Sequence, residues 1–596
     1  MLVFRFVDPF PPPWHAPDMH WNPHPQLDIP IANELSMQRT SGAEKSPVDE
    51  KGSYELKELS SPRSGDVVPR LSSATVTKSR LPYSWQLAMI ILTCLCTFGN
   101  HWSNGLIVAL KTTIIKETNI NNSQFATLVA VTNLINTFLC IGFGFTIDKW
   151  GGAIMSVIFA GFHLSGSIVM AGAATNNLNS YPLLILGKVL AAIGDGSLDN
   201  AQHRIFSTYF APGRGFGFSI GTIWGIANLA QFTGQSTANV ITQNLGSYAW
   251  ALWISSAIAL FSFLCAISVV LLDIYLRRKY NVTDQTSGRR HVGAAKAGTF
   301  RLDAIRHLPV TFWMVVIFAV FENAGVQSFV SISTQFAQQR LQKGAIIGGW
   351  VSSFYLLLPA CLTPFIGIYI DVFGQRIGFL FISGLTFLIS MLLLKFSHSV
   401  PTFIAAYIFY ALSQCVTPAP QVEIIRNIIA DPQYFATAFA IKKSVVQASI
   451  VIITTAAGKM QDDSSTNSLD PAVSLWLAYA FISVAASGTL LLAAYIVPGM
   501  LAAARLSQIA PRHLPAEVEK LARKCGLEKP VDDGEEEFNE TKVLERELKS
   551  PMIHSPLFRH AFLALSMGII VLGWVLFGLG VSWGVHGSVV AGSTGE

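Results

Sequence analysis

Twelve long apolar stretches lie between Ser84 and Val497, and they leave few folds open to this chain. A helix needs roughly 20 apolar residues to cross the hydrocarbon layer of a bilayer, and each stretch is long enough to do so. Of the 596 residues 51% are apolar and only 13% are charged. One soluble core could not bury that much apolar surface, so the pattern predicts an all-α membrane protein.

The twelve stretches divide into two groups of six. A thirteenth apolar stretch follows a polar linker near the end of the chain, while the first 82 residues are rich in Pro, Ser and charge and are expected to lack stable structure. The predicted organisation is a cytosolic tail (1–82), a six-helix bundle (83–276), a basic cytosolic loop (277–307), a second six-helix bundle (308–497), a cytosolic linker (498–560) and an extra transmembrane helix (561–583).

The charge distribution orients these helices. Between Arg277 and Arg306 the chain carries eight Lys or Arg against two Asp, and basic loops of this kind stay in the cytosol. The basic cluster abuts a membrane helix and has no interleaved aromatic platform on which bases could stack, so the expected partner is the lipid bilayer and not a nucleic acid. Of the three glycosylation sequons only Asn121 falls on the opposite side, where a glycan could be added.

A short phrase occurs once in each half: Gly144-Phe-Thr-Ile-Asp148 and, 223 residues later, Gly367-Ile-Tyr-Ile-Asp371. The phrase resembles the Gly-x-x-x-Asp-Arg/Lys signature of the major facilitator superfamily. That resemblance implies a twelve-helix fold of two six-helix bundles that rock around a central site. It also implies gating roles, with close helix approach at the glycines and a capping or ion-pairing aspartate, for Gly144, Asp148, Lys149, Gly367 and Asp371. Arg204 and Arg426, spaced 222 residues apart, are expected to form a related gating pair.

The fourth stretch is the most polar. Asp195, Asp199 and His203 are four residues apart and therefore share one helix face. Ionisable side chains at membrane depth are costly and persist where they face a cavity or one another. Asp195 lies deepest and is our candidate to contact a substrate amine or a proton. The other two could equally belong to a charge network at the gate.

Further polar residues extend the candidate site. In the fifth stretch Asn228, Gln231, Gln235 and Asn239 form an amide stripe, which suits either a wet cavity or helix-to-helix packing. Adjacent lysines differ by about 100° around a helix, so only one of Lys442 and Lys443 is expected to point inward. Pro418 and Pro420 should kink the tenth stretch. The remaining substrate-binding candidates are Asn100, Trp102, Glu322 and Lys442.

A closer resemblance lies in the fourth stretch. Gly187-Lys188, Gly194, Ser197-Leu198, Ala201-Gln202 and Tyr209-Phe210 are similar to a segment of the lysosomal dipeptide transporter branch of the superfamily. That branch implies uniport-like export of dipeptides from lysosomes, with an acid in the fourth helix and a base in the fifth. In this chain Gly196 stands at the acidic position, beside Asp195, and Asn228 lies near the basic one.

These features favour a secondary transporter that moves a small polar or zwitterionic solute, a dipeptide or amino acid first, as a uniporter. Two alternatives stay open: a proton-coupled exporter of a metabolite or organic acid, and a non-transporting receptor or scaffold. No phosphate-binding loop, metal-ligand spacing or nucleophile elbow occurs, so neither an enzyme nor a cofactor is expected. The resemblance favours a lysosomal or vacuolar membrane, with the plasma membrane as the alternative, and an accessory membrane subunit is left open.

Overall fold

The computed structural model describes the membrane-spanning region and its nearest connections. The described residues are 81–210, 216–280, 308–396, 399–428, 435–464, 467–496, 501–513, 516–517, 520 and 556–587. Most of the predicted tail, basic loop and linker therefore lies outside the described residues.

The described part of the first half consists of eight helices. The first predicted span is broken at Cys96 and Thr97 into two helices, and a short helix follows before the second span. The helices are α1 (Tyr83–Leu95), α2 (Phe98–Ala109), α3 (Lys111–Thr118), α4 (Asn122–Trp150), α5 (Gly152–Ala173), α6 (Tyr181–Tyr209), α7 (Phe216–Leu245) and α8 (Tyr248–Lys279).

The second half repeats this arrangement. Its tenth span is interrupted at Thr417, just before Pro418, as the prolines predict. The helices are α9 (Val310–Leu341), α10 (Gly344–Phe373), α11 (Arg376–Phe396), α12 (Val400–Val416), α13 (Pro418–Ile428), α14 (Phe435–Asp462) and α15 (Asp470–Ile496). Two more helices follow, α16 (Leu501–Gln508) and α17 (Pro556–His586).

Eleven helices in the described part of the chain are long and apolar enough to cross a membrane. The broken first span and the polar helix α7 account for the other two predicted crossings. The prediction of an all-α membrane protein with two six-helix bundles and a thirteenth helix is confirmed. We call the end of the bundle that carries the basic loop the basic end, and the opposite end the distal end.

The two helix pairs with the most extensive contact between the halves are α7 with α10 and α4 with α14. In the first pair the backbones nearly touch: a Cβ on Gly367 would collide with the Gly217 carbonyl oxygen. The close approach expected at Gly367 is therefore present. At Gly144, in contrast, a Cβ would meet no described atom within 4 Å, so the close approach expected there is absent. The two copies therefore differ: the glycine of the second packs against the other half, and the glycine of the first meets no described residue.

Helix α17 lies across the seam between α4 and α14. On the α4 side the Trp574 indole Nε1 donates to Thr137 Oγ1 at 3.1 Å. On the α14 side a Cβ on Gly573 would lie 3.1 Å from the Ala448 carbonyl oxygen, so the two backbones approach closely there. The thirteenth helix thus contacts both halves.

The glycosylation expected at Asn121 does not fit this arrangement. The residue is 2% exposed and caps α4, where its side chain accepts from the Gln124 backbone N–H. Its Nδ2, the atom that would carry a glycan, donates to the Gly584 carbonyl oxygen of α17 at 3.0 Å. Asn121 does lie in a loop between two helices, as the sequence predicted. The sequence could not show that α17 packs over this asparagine.

Candidate functional site

A cavity of about 290 Å³ lies between the two halves. Residues of α2, α4, α6 and α7 form one wall, and residues of α9, α13 and α14 form the other. Besides two histidines, its lining includes six acidic or basic side chains, namely Lys188, Asp195, Asp199, Glu322, Lys442 and Lys443. Three are acidic and three are basic, so the cavity is close to neutral in formal charge and presents both signs to a solute.

The α6 face reaches the cavity as its spacing predicts, since Asp195, Asp199 and His203 all line it. Asp195 is held by a chain of hydrogen bonds that ends at a lysine. Lys188 Nζ donates to Asn104 Oδ1 at 2.9 Å, Asn104 Nδ2 donates to Asn100 Oδ1 at 3.3 Å, and Asn100 Nδ2 donates to Asp195 Oδ1. This relay fixes the carboxylate and connects it to a cation on the same helix.

The opposite wall carries the other charged groups. Glu322 is fully buried and accepts hydrogen bonds from Ser383 Oγ at 2.6 Å and from Thr417 Oγ1 at 2.8 Å. Lys443 reaches across the cavity, where its Nζ donates to the Gly196 carbonyl oxygen at 2.6 Å and lies 3.7 Å from Asp199 Oδ2. Lys442 Nζ lies 5.6 Å from the centre of the Phe439 ring.

The expectation that only one of these lysines points inward is wrong. Both line the cavity, Lys443 toward α6 and Lys442 toward Phe439. Adjacent positions differ by about 100° around a helix, but a lysine stem is long and flexible, so both ammonium groups can reach the cavity wall.

The amide side chains of α7 have two different roles: some line the cavity, and others pack against neighbouring helices. Asn228 and Gln231 line the cavity. Gln235 does not, since its Nε2 donates to Thr334 Oγ1 and Ser352 Oγ, both at 2.9 Å, inside the contact between the halves. Asn239 likewise donates to the Ala345 carbonyl oxygen at 3.0 Å. Gln235 is thus a packing residue and not a substrate ligand in this structure.

Two substrate-binding candidates on the first span, Asn100 and Trp102, do not line the cavity. Trp102 lies outside the cavity wall, where its backbone packs closely against Gly234 of α7. Asn100 is buried behind Asp195 and acts on the cavity through that carboxylate. Asn100 lies about one turn before the cavity-facing Asn104, whereas Trp102 lies about half a turn before it and therefore on a different face of α2.

At the basic end the second copy of the phrase ties the halves together. Asp371 accepts from the backbone N–H groups of Gly217 at 3.2 Å and Phe218 at 3.1 Å, at the N-terminus of α7. A carboxylate is favourable there because the unpaired N–H groups carry the positive end of the helix dipole. Beside it Arg376 Nε donates to Glu423 at 2.6 Å, and Arg376 Nη1 donates to the Ser507 carbonyl oxygen at 2.9 Å.

The first copy is less well described. The side chains of Asp148, Lys149 and Arg426 lie outside the described residues, so their expected gating roles stay predictions. Arg204 is half-buried near the basic end of α6.

At the distal end Asp462 of α14 holds the N-terminus of α4. Its carboxylate accepts from Ser123 N at 2.8 Å, Asn122 N at 3.1 Å and Asn122 Nδ2 at 2.9 Å, and also from Ser123 Oγ. Nearby, Lys111 Nζ donates to Gln461 Oε1 at 3.1 Å. All these bonds join one half to the other, so the structure has its distal ends closed.

Lys111 makes that closure dependent on pH. It belongs to α3, beyond the end of the first span, and is 3% exposed. Burial lowers the pKa of its ammonium from 10.5 to about 7, and the neighbouring Asp462 offsets part of that shift. If the distal ends separate, water reaches Lys111 and its pKa returns toward the ordinary value. The closed state therefore binds this proton more weakly than the open state.

We expect raising the pH from 7 toward 10.5 to favour the closed state by roughly tenfold per unit at most, with no contribution from Lys111 below pH 7, where it is protonated in both states. Distances between spin labels on Glu117→Cys and Asp463→Cys would report the separated fraction. Lys111→Met should abolish this dependence, and Lys116→Met, which changes an exposed lysine of the same helix, should preserve it. An unaltered pH profile in Lys111→Met would contradict the assignment.

Sequence reasoning missed three residues of these networks. Lys188 was visible as a lysine inside an apolar span, which is itself a signal of a cavity or a partner. Glu423 and Asp462 stand near span ends, where charged residues are common, and nothing local in the sequence connects Asp462 with Asn122, which lies 340 residues away.

Comparisons with known proteins agree with this architecture. The lysosomal dipeptide transporter MFSD1 of Danio rerio is 23% identical over 393 residues, which cover 63% of this chain and 81% of that protein. The protein of the same name from Mus musculus is 24% identical over 413 residues, covering 66% of this chain and 83% of the relative.

Two solved structures share the fold. The proton:xylose symporter XylE bound to 6-bromo-6-deoxy-D-glucose aligns with a TM-score of 0.53 at 14% identity, over 70% of this chain and 96% of that one. The transporter FucP in the outward conformation aligns with a TM-score of 0.50 at 14% identity, over 68% and 99%. The family model of the Major Facilitator Superfamily matches residues 93–348 and 329–594. The chain therefore belongs to the Major Facilitator Superfamily.

Proposed function

We propose that this protein is an alternating-access uniporter for a small zwitterionic solute, a dipeptide first. The observation that carries the proposal is that groups of opposite charge line the same cavity from different halves: Asp195 on α6 belongs to one half, and Lys442 on α14 belongs to the other. A free amino group would bind the carboxylate, and a free carboxylate would bind the ammonium. Such a solute contacts both halves at once.

Lys442 is the basic group best placed to receive a solute. Lys188 already donates to Asn104, and Lys443 donates to Gly196 and pairs with Asp199. Among the described residues Lys442 has a ring contact with Phe439 but no hydrogen bond. A buried ammonium without hydrogen bonds is costly, so an incoming carboxylate would satisfy a group that the protein leaves incomplete.

The size of the cavity supports a small solute. Ligand sites of drug-sized molecules usually measure roughly 300–1,000 Å³, and this cavity of about 290 Å³ lies at the lower limit of that range. The relatives are named lysosomal dipeptide transporters, which supports the same solute class and a lysosomal membrane. A polar cavity of this kind also favours transport over a scaffold that moves nothing.

Uptake into proteoliposomes tests the charge assignment. Asp195→Asn should weaken the apparent affinity for a free dipeptide by about 10- to 100-fold, the usual loss for a hydrogen bond to a charged group. It should have little effect on an N-acetylated dipeptide, which has no amine to lose. Lys442→Met should show the opposite selectivity, weakening the free peptide but not its C-terminal amide.

Lys343→Met is the control, because Lys343 is exposed and lies outside the cavity. If neither cavity variant discriminates between free and blocked peptides, then Asp195 does not bind the amine and Lys442 does not bind the carboxylate, and the assignment is wrong. If the unaltered protein moves no labelled dipeptide or amino acid down a gradient, the solute class is wrong.

Proton coupling is the second candidate, and one observation favours it. Both partners of Glu322 Oε1 are hydroxyl groups, which can donate to a carboxylate or accept from a carboxylic acid, while Oε2 has no partner among the described residues. The site can therefore hold either protonation state. A proton-coupled carrier should lose the pH dependence of uptake in Glu322→Gln, whereas a uniporter should retain its profile.

A further inference from the structure

A second cavity lies away from the central site, where α17 crosses α9 and α14. Its volume is about 170 Å³, and it is bounded by Trp313, Val316 and Val320 of α9, by Val445 of α14, and by Phe562 and Ile569 of α17 among other residues. Apart from Ser566 and Trp313, whose side chains carry one hydroxyl and one indole N–H, the lining residues have wholly apolar side chains. An apolar cavity of about 150 Å³ in a soluble protein stays free of water and binds small hydrocarbons. This cavity should likewise reject water and accept hydrocarbon.

The surroundings of the cavity are hydrocarbon as well. Helix α17 forms its outer wall, and the other face of that helix consists of exposed apolar side chains such as Leu572 and Val575. The span His560–His586 is long and apolar enough to cross the bilayer, so lipid chains surround the helix that closes the cavity. The molecules with the highest local concentration at this site are membrane lipids.

One residue of the cavity wall carries a polar group that selects among them. Trp313 is 1% exposed and stacks on Phe562 with the ring planes 3° apart. Its indole Nε1 is buried, and no described residue accepts a hydrogen bond from it. Because a buried indole N–H usually has a partner, this donor indicates a ligand that brings its own acceptor.

The depth of Trp313 indicates which acceptor that is. It is the fourth residue of α9, which begins at Val310, so it lies about 5 Å along the helix from the basic end. Tryptophan is enriched at this level of membrane proteins, where the lipid head groups meet the hydrocarbon. The acceptors at that level are the ester carbonyls of glycerophospholipids, and their acyl chains extend toward the bilayer centre, as the cavity does toward Val320 and Ile569.

We propose that this cavity binds one acyl chain of a glycerophospholipid from the leaflet at the basic end, with the ester carbonyl accepting a hydrogen bond from Trp313 Nε1. The lipid fills the space between the thirteenth helix and the second half of the protein. The site is independent of the solute cavity and of the proposed transport activity.

Photolabelling of the full-length protein in liposomes tests this site. The probe is a phosphatidylcholine with a diazirine in one acyl chain, and the measurement is labelling of the peptides that contain Val320 and Ile569. Val320→Phe fills the cavity and should reduce labelling at least tenfold, while Ile482→Phe, on an exposed face of α15, should not. Equal labelling of both variants would overturn the proposal.

A second comparison tests the hydrogen bond. Trp313→Phe should reduce labelling by the ester lipid several-fold, yet leave labelling by an ether analogue unchanged, because the ether lacks the carbonyl acceptor. An equal reduction for both lipids would overturn the role of the indole. Stronger labelling by a photoactivatable sterol than by the phospholipid, with competition between them, would overturn the assignment to an acyl chain.

Discussion

Replacing Arg376 with methionine is expected to destabilise the protein by about 3–5 kcal/mol, the usual cost of removing one partner from a buried ion pair. Arg376 and Glu423 are 5% and 7% exposed, and their side chains meet at 2.6 Å. Asp371 lies beside Glu423, so without the guanidinium these two acidic side chains would face each other, and no other described residue pairs with Glu423 as a cation. Arg376 also donates to the Ser507 and Ile509 carbonyl oxygens, so α16 should detach as well. Thermal unfolding in detergent would measure the loss of stability, and proteolysis near residue 505 would report the detachment.

The matched control is Arg277→Met. Arg277 pairs with Asp273 at 2.9 Å, but its side chain is 48% exposed, and exposed pairs contribute about 0–1 kcal/mol. The same chemical change should therefore have very different consequences at the two positions. Similar unfolding temperatures for the two variants would show that burial of the Arg376 pair does not control stability.

Replacing Asp462 with alanine is expected to open the distal end. The substitution removes the acceptor of four hydrogen bonds between α14 and the beginning of α4, including two from backbone N–H groups. Hydrogen bonds to a charged group contribute about 1.5–3 kcal/mol each and are not additive, so a shift of about 3 kcal/mol, or roughly 100-fold, is a moderate expectation. A Thr454→Cys reporter lines the cavity, and an impermeant maleimide applied from the distal side should label it correspondingly faster.

Asp463→Ala provides the control. Asp463 is the next residue along the chain, is exposed, and pairs only with Lys459 of its own half among the contacts described here. Its removal should leave the labelling rate near that of the unaltered protein. If Asp462→Ala labels no faster than Asp463→Ala, the Asp462 network does not hold the distal end closed.

Much of the fold follows from local properties of the sequence. Span length and hydropathy predicted thirteen crossings, and Pro418 predicted the interruption of the tenth because a proline cannot supply the backbone N–H of a continuous helix. The break at Cys96 and Thr97 had no such signal. Just after this break the Gly99 N–H donates to Ser262 Oγ of α8 at 2.8 Å. The partner at the break therefore comes from a distant helix and not from a neighbouring residue.

The cavity-lining residues were predictable from sequence where they share one face of a single helix. Asp195, Asp199 and His203 reach the cavity because residues four apart share a face. Gln235 continues the stripe of Asn228 and Gln231 yet packs between the halves. An amide stripe on a helix of 30 residues is longer than the cavity, and the sequence contains no mark of where the cavity ends.

The sequence by itself determined the membrane class, the number of membrane crossings, the twofold repeat and the helix face that carries the acidic groups. These depend on hydropathy and on helical periodicity, which act over a few turns. Only the tertiary structure decided which polar residues meet: Asp462 with Asn122, Arg376 with Glu423, and α17 with both halves. The physical reason is that a hydrogen bond or an ion pair depends on positions a few ångströms apart in space, and in these networks the partners are tens to hundreds of residues apart along the chain.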